Sequence, residues 1–224
     1  MTSSFTFLVT TALANTEKAI FVAPAPTIMT DAQPVLADLN LYSLSPEHPS
    51  LRLPLPVTFA TNHQPRGLDS WYLLHSLKEG QRYELRVCWA AIQPTAFRID
   101  SYEISDVFDT PGLISSLAEY SEQRDLRECG EELLQSTKYL TNEQGSILFL
   151  RIQAAADFFT TNKTLMHHPP PVFVDILLDR YLGNVFPQSL VSTGAYIALL
   201  GVCGWFASRT IWRHFCLGPK IHID

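Results

Sequence analysis

Apolar positions along this chain form short alternating runs in its middle and two longer continuous runs at its ends. The clearest alternation lies between residues 80 and 89. There, apolar residues alternate with charged ones: Tyr83, Leu85, Val87 and Trp89 against Arg82, Glu84 and Arg86. Because successive side chains of a strand point to opposite faces, this period of two predicts a β-strand with one buried face.

Other segments have the length and composition of strands, bounded by turn residues. They are residues 19–23, 51–60, 71–75, 97–104, 146–153 and 172–178. Pro54 and Pro56 place the second of these at a sheet edge. Residues 112–139 lack proline and carry leucines at helical intervals, which predicts one or two helices. We therefore expect a mainly β fold, an antiparallel β-sandwich-like domain with a helical insertion.

The continuous run near the C-terminus contains no charged residue from 190 to 207. A membrane-spanning helix needs about 20 apolar residues, so we predict a transmembrane helix over 186–208, with Pro187 in its first turn. The alternative, a buried core helix, is disfavoured because soluble helices usually keep a polar face. Gly194, Ala198 and Gly201 form a candidate helix–helix face, although small residues are also common in membrane helices generally.

The run at the N-terminus resembles the apolar core of a signal peptide. It ends in Ala12-Leu13-Ala14, an A-x-A cleavage site, so we predict a signal peptide over 1–14, cleaved between Ala14 and Asn15. No Lys or Arg precedes the apolar core, which leaves a buried first strand as the alternative.

The positions of the charged residues then predict how the chain is oriented in the membrane. Arg209, Arg213 and Lys220 follow the apolar run, and positive flanks stay in the cytosol. We expect a single-pass type I protein with a lumenal domain over 15–185 and a cytoplasmic tail over 209–224. A tail-anchored topology conflicts with the signal-like start, and the charged end does not suit a lipid-anchor signal.

The amino-acid composition narrows the classes of binding partner that the chain can have. Only 17% of the residues are charged, and the net charge is −6 although the tail is basic. Nucleic acid binding needs clustered Lys and Arg, so the acidic middle argues against it. The lipid bilayer is the partner that the composition favours.

Few residues in the middle carry a recognisable chemistry. Asn162-Lys163-Thr164 is a glycosylation sequon. Cys88 and Cys129 would lie in an oxidising lumen, where either they form a disulfide or one or both are buried thiols. His167 and His168 have no neighbouring ligand at metal spacing. With no nucleotide, metal or nucleophile motif present, we expect no catalytic residue, no metal, no cofactor and no small-molecule substrate of the chain's own.

The order of these features resembles one family. A signal leads directly into 15–24 (NTEKAIFVAP), the strand 80–89 (GQRYELRVCW) is followed by 94–97 (PTAF), and one membrane helix ends the chain. This layout is similar to the fungal co-activator subunit of GPI mannosyltransferase II. The resemblance implies a non-catalytic accessory subunit in the endoplasmic reticulum membrane. Its partner would be a polytopic catalytic subunit that adds the second mannose in GPI-anchor biosynthesis.

Two other functions fit the same layout. One is an accessory subunit of the first GPI mannosyltransferase, which has a similar order of features. The other is a single-pass lumenal cargo receptor, although no heptad segment precedes the span and no lysine pair ends the tail.

Overall fold

The computed structural model describes residues 14–26, 36, 39–127 and 145–216. The chain divides into two compact units, residues 1–180 and residues 181–224. The described elements, in chain order, are β1 (Ala14–Val22), β2 (Tyr42–Leu44), β3 (Ser50–Leu55), β4 (Thr58–Phe59), β5 (Leu68–Leu77), β6 (Arg82–Ala90), β7 (Thr95–Tyr102), α1 (Ile104–Asp109), α2 (Pro111–Arg127), β8 (Ser146–Ala156), α3 (Lys163–His167), β9 (Val172–Leu182), β10 (Phe186–Pro187), a 3₁₀ turn (Gln188–Leu190) and α4 (Val191–Cys216). Strand residues outnumber helical residues, which confirms the predicted mainly β class.

The strands form two sheets. In the first sheet β1, β6 and β9 lie side by side, and β3 and β10 also pair with β9, all antiparallel. In the second sheet β8 lies between β5 and β7, both antiparallel to it. Two short strands add parallel pairs, β2 to β5 and β4 to β8. The proline-containing β3 pairs with β9, and Pro54 lies opposite Phe173.

The main core lies between the two sheets. Tyr83, Leu85, Val87 and Trp89 of β6 are all buried in it, as their alternation predicts, and β8 contributes residues such as Leu150 and Ile152 from the other side. Each large apolar side chain removed from water in this way contributes about 1.5–3 kcal/mol to folding. The two inner faces therefore hold the sandwich together.

A second core covers the outer face of the second sheet. Trp71 and Phe149 of the sheet pack with Val107 of α1 and Leu117 of α2. The Trp71 and Phe149 rings meet edge to face, with centroids 6.2 Å apart. The helical insertion thus forms a third layer on the sandwich. It starts earlier than predicted, at Ile104, and residues 128–139 of the predicted helix lie outside the described residues.

The second unit contains α4. Its side chains from Val191 to Arg213 are all exposed, apolar ones included. The segment Gln188–Arg213 is long and apolar enough to cross a membrane, which is consistent with a single-pass membrane protein. The helix begins at Val191, not at 186. Pro187 lies in β10 and not in a first helical turn, because the chain pairs once more with β9 before the helix starts.

Candidate functional site

A polar cleft of about 400 Å³ opens on the outer face of the second sheet. Asp69 of β5 and Arg151 and Gln153 of β8 form its floor, with Asp69 directly opposite Gln153 in the strand pairing. Helix α2 forms one wall, and the turn over residues 63–68 forms the other. Two adjacent strands and a covering helix therefore bring together polar side chains from distant parts of the chain.

Hydrogen bonds hold the Asp69 carboxylate in place from two sides. Ser116 Oγ donates to its Oδ2 at 2.6 Å, and Gln153 Nε2 donates to its Oδ1 at 2.8 Å. Trp71 Nε1 in turn donates to Ser116 Oγ at 3.0 Å. This chain of donors links the cleft floor to the second core, so the carboxylate is positioned by the fold.

Arg151 is fixed in the same way on the other side of the floor. Its Nη2 donates to Asp100 Oδ2 at 3.1 Å and to the Tyr102 hydroxyl at 2.5 Å, and its Nη1 lies 3.9 Å from Asp69 Oδ2. Burial alone would raise the pKa of Asp100, but hydrogen bonds from Arg98 and Arg151 outweigh it and lower the pKa. Asp100 therefore stays ionised and keeps the guanidinium in place.

The 63–68 wall depends on Gly67. Its φ is +77°, and a Cβ built there would lie 1.9 Å from the Ala154 carbonyl oxygen. The Gly67 amide donates to the Gln64 carbonyl at 3.2 Å, which closes the turn. Only glycine fits this close approach of the turn to β8.

An apolar pocket of about 460 Å³ adjoins the polar cleft and shares Leu68, Asp69, Tyr120 and Gln123 with it. Its other lining residues are mainly tyrosines and prolines, together with the cation of Arg124. The Arg124 guanidinium lies 3.5 Å from the centroid of the Tyr42 ring, a cation–π contact. Burial raises the pKa of Tyr72, at the base of this pocket, well above its ordinary value.

Asn162 lies outside the polar cleft, on an exposed segment. It caps α3, and its Oδ1 accepts a hydrogen bond from the Thr164 amide at 3.0 Å. The turn brings the two essential residues of the sequon together, on a segment whose residues 161–165 are all exposed.

Cys88 is half-buried on the outer face of the first sheet and is bridged to no cysteine among the described residues, and its Sγ accepts a hydrogen bond from Thr16 Oγ1 at 3.5 Å. Helix α2, which leads towards Cys129, packs on the outer face of the other sheet. Cys129 itself lies outside the described residues, so the Cys88–Cys129 bridge stays a prediction.

The remaining sequence-based candidates are at the two ends of the described chain. Gly194, Ala198 and Gly201 are exposed and share one face of α4. Ala14 begins β1, directly opposite Ala90 of β6, so the predicted cleavage site between Ala14 and Asn15 falls at the start of a paired strand. Residues 1–13 of the predicted signal peptide lie outside the described residues.

Sequence reasoning did not find the polar cleft. Its floor residues come from two strands whose pairing depends on the fold, and each strand alone looks like an ordinary apolar strand that carries a few polar residues. Across residues 14–26, 36, 39–127 and 145–216, no group of three His, Cys, Asp or Glu is arranged to hold a metal ion. No protein-family model, curated protein or solved structure matches the chain.

Proposed function

We propose that this chain is a non-catalytic accessory subunit of an endoplasmic reticulum mannosyltransferase, needed for the second mannose of the GPI anchor. One observation carries the structural part of the proposal. A folded β-sandwich leads, within a few residues of its last long strand, into an exposed apolar helix that could span a membrane. The glycosylation step itself comes from the resemblance of residues 15–24, 80–89 and 94–97 to the co-activator family.

In this proposal the sandwich lies in the lumen and the tail in the cytosol. The basic residues Arg209, Arg213 and Lys220 after the apolar run support that orientation. Asn162 is then on the side of the membrane where N-glycosylation takes place, and the signal peptide directs the chain to the endoplasmic reticulum.

The proposed division of labour rests on the one candidate membrane span among the described residues. A single helix cannot enclose a lipid-linked sugar donor within the bilayer, so the transfer chemistry belongs to a polytopic partner. A bound subunit stabilises whichever conformation of its partner it prefers. Loss of this chain would therefore lower the amount of correctly assembled enzyme and would leave the catalytic groups themselves unchanged.

The test is to deplete the protein in cells and to count the mannoses on accumulated GPI precursors by mass spectrometry. We expect a precursor with one mannose to accumulate, and re-expression of the wild-type chain to remove it. A precursor without mannose would point to the first mannosyltransferase. An unchanged precursor profile with delayed export of secretory cargo would point to a cargo receptor.

A separate biochemical experiment tests whether the chain itself is catalytic. The full chain, purified alone, is expected to transfer no mannose from a lipid-linked donor. Co-purification in mild detergent should recover the catalytic subunit, identified by mass spectrometry. Transfer by the purified chain alone would contradict the accessory role.

A further inference from the structure

The polar cleft has the features of a ligand site that no motif in the sequence indicates. Its volume of about 400 Å³ falls within the ~300–1,000 Å³ range of small-molecule sites. Its floor is fixed before any ligand arrives, because Ser116 and Gln153 hold Asp69, and Asp100 and Tyr102 hold Arg151. Fixed polar groups bind without the cost of ordering them.

The charges of the cleft identify the kind of ligand. Arg66 and Arg151 are balanced by Asp69 and Glu119, so the cleft favours neither an anion nor a cation. The floor offers donors and acceptors side by side, from a carboxylate, an amide and a guanidinium. A neutral molecule whose groups each donate and accept hydrogen bonds matches this arrangement. Sugar hydroxyls have that property.

Two atoms at the floor still need partners. Gln153 Oε1 and Arg151 Nε are buried and have no hydrogen-bond partner among the described residues. A buried polar atom left unpaired is costly, and here one is an acceptor and the other a donor, on adjacent outward positions of β8.

The wall of the cleft adds an apolar surface. Tyr120 of α2 lines both the polar cleft and the adjoining apolar pocket. A sugar ring has a C–H face as well as hydroxyls, and an aromatic side chain next to fixed polar groups matches both. We propose that the polar cleft binds one neutral hexose residue, through Asp69, Arg151 and Gln153. The proposal does not rest on the mannosyltransferase function and assigns no catalytic role.

Saturation-transfer NMR on the full chain tests whether the protein binds a hexose. The protein is purified in a detergent without a sugar head group, because a maltoside or glucoside would compete. The probes are the methyl glycosides of mannose, glucose, galactose and N-acetylglucosamine. We expect transfer to the ring protons of at least one of them.

Variants locate the binding. Asp69→Asn and Gln153→Leu are expected to weaken it by about tenfold or more, the effect of losing a hydrogen bond to a charged or buried group. Gln123→Ala and Glu119→Gln change exposed residues of the α2 wall, so we expect both variants to fold even where the floor variants do not. They should weaken binding as well. Gln93→Ala is the matched control, because Gln93 is outside the polar cleft and donates to the Pro171 carbonyl at 3.4 Å.

Three results would overturn the proposal. They are no transfer to any of the four glycosides by folded protein, equal transfer in the cleft variants and the Gln93→Ala control, or displacement of the bound glycoside by millimolar inorganic phosphate. The last result would make the cleft an anion site. Thermal unfolding of each variant, followed by circular dichroism, separates lost binding from lost folding.

Discussion

Glu84 of β6 and Asp179 of β9 lie directly opposite each other, two carboxylates on neighbouring strands. Both side chains are largely buried, at 7% and 11% exposure, although they belong to the outer face of the first sheet. Like charges in this position repel. Arg86 offsets the repulsion, because its Nε lies 3.5 Å from Glu84 Oε1 and its Nη2 lies 3.4 Å from Asp179 Oδ2.

Replacing Arg86 by Met should therefore destabilise the sandwich by about 2 kcal/mol, because two poorly solvated carboxylates lose a shared counter-charge. Chemical denaturation of the full chain in detergent, followed by tryptophan fluorescence, measures the free energy of unfolding. Adding Glu84→Gln to Arg86→Met should recover part of the loss. A Met variant as stable as the wild type would show that the arginine is dispensable there.

Gly67 and Gly80 form a matched pair for testing the turn beside the polar cleft. Both have positive φ, +77° and +69°, but a Cβ would strike the Ala154 carbonyl only at Gly67 and would meet no atom within 4 Å at Gly80. We expect Gly80→Ala to cost about 1 kcal/mol from backbone strain alone. Gly67→Ala should cost about 4 kcal/mol or more, because the turn must move off β8. Thermal unfolding compares the two, and equal losses would refute the steric argument.

The raised pKa of Tyr72 predicts that the folded protein loses stability at alkaline pH. Its pKa is raised well above the usual value by burial, so the folded state holds the phenol proton more tightly than the unfolded state does. This contribution is fully present below the unfolded pKa of about 10 and is lost as pH rises towards the higher folded pKa. Denaturation series from pH 8 to pH 12 should show a smaller alkaline decline for Tyr72→Phe. A decline as large in Tyr72→Phe as in the wild type would contradict this account.

Asn162 predicts glycosylation if the sandwich is lumenal. Peptide-N-glycosidase should increase the mobility of the wild-type protein on a gel, and Asn162→Gln should abolish that change. Thr164→Ala removes the other essential sequon residue and should have the same effect. Thr164→Ser is the matched control that keeps the sequon. A lumenal domain digested by protease in sealed microsomes would contradict the orientation.

The shared face of Gly194, Ala198 and Gly201 can be tested by adding bulk. Gly194→Leu or Ala198→Leu should weaken co-purification of a membrane partner, because small residues allow close helix approach. Leu200→Ala alters α4 without adding bulk to that face and serves as the control. Unchanged recovery in both Leu variants would place the contact in the sandwich instead of in α4.

Local periodicity predicted much of the sandwich. The alternation in β6 places its buried and outer faces correctly, and β3, which contains Pro54, pairs with β9 alone among the described strands, as an edge strand does. The sequence does not lead us to expect the helical layer on the outer face of the second sheet, although the residue patterns of β5 and β8 contain a signal for it. Residues 71–75 and 148–150 are buried on both faces, and their apolar runs scarcely alternate. Such continuous runs are typical of strands covered on both sides.

The polar cleft could not be predicted in the same way. Asp69 and Gln153 meet because β5 and β8 pair in one register, and neither strand's sequence by itself identifies which residue of the other strand lies opposite. The start of α4 was placed too early for a related reason. Hydropathy does not distinguish the two residues of β10 from the helix that follows, whereas the pairing of Phe186 with Leu182 does.

If the chain is cleaved after Ala14 as predicted, the pairing of Ala14 with Ala90 sets an order of events during biogenesis. A signal peptidase must hold its substrate as an open, unpaired segment, yet the predicted scissile bond after Ala14 is the first peptide bond of a strand that pairs with β6 along its whole length. Cleavage at that bond must therefore come before β1 joins the sheet. A chain that escaped processing until its sandwich had closed would keep its leader, with the cleavage site locked inside its own fold.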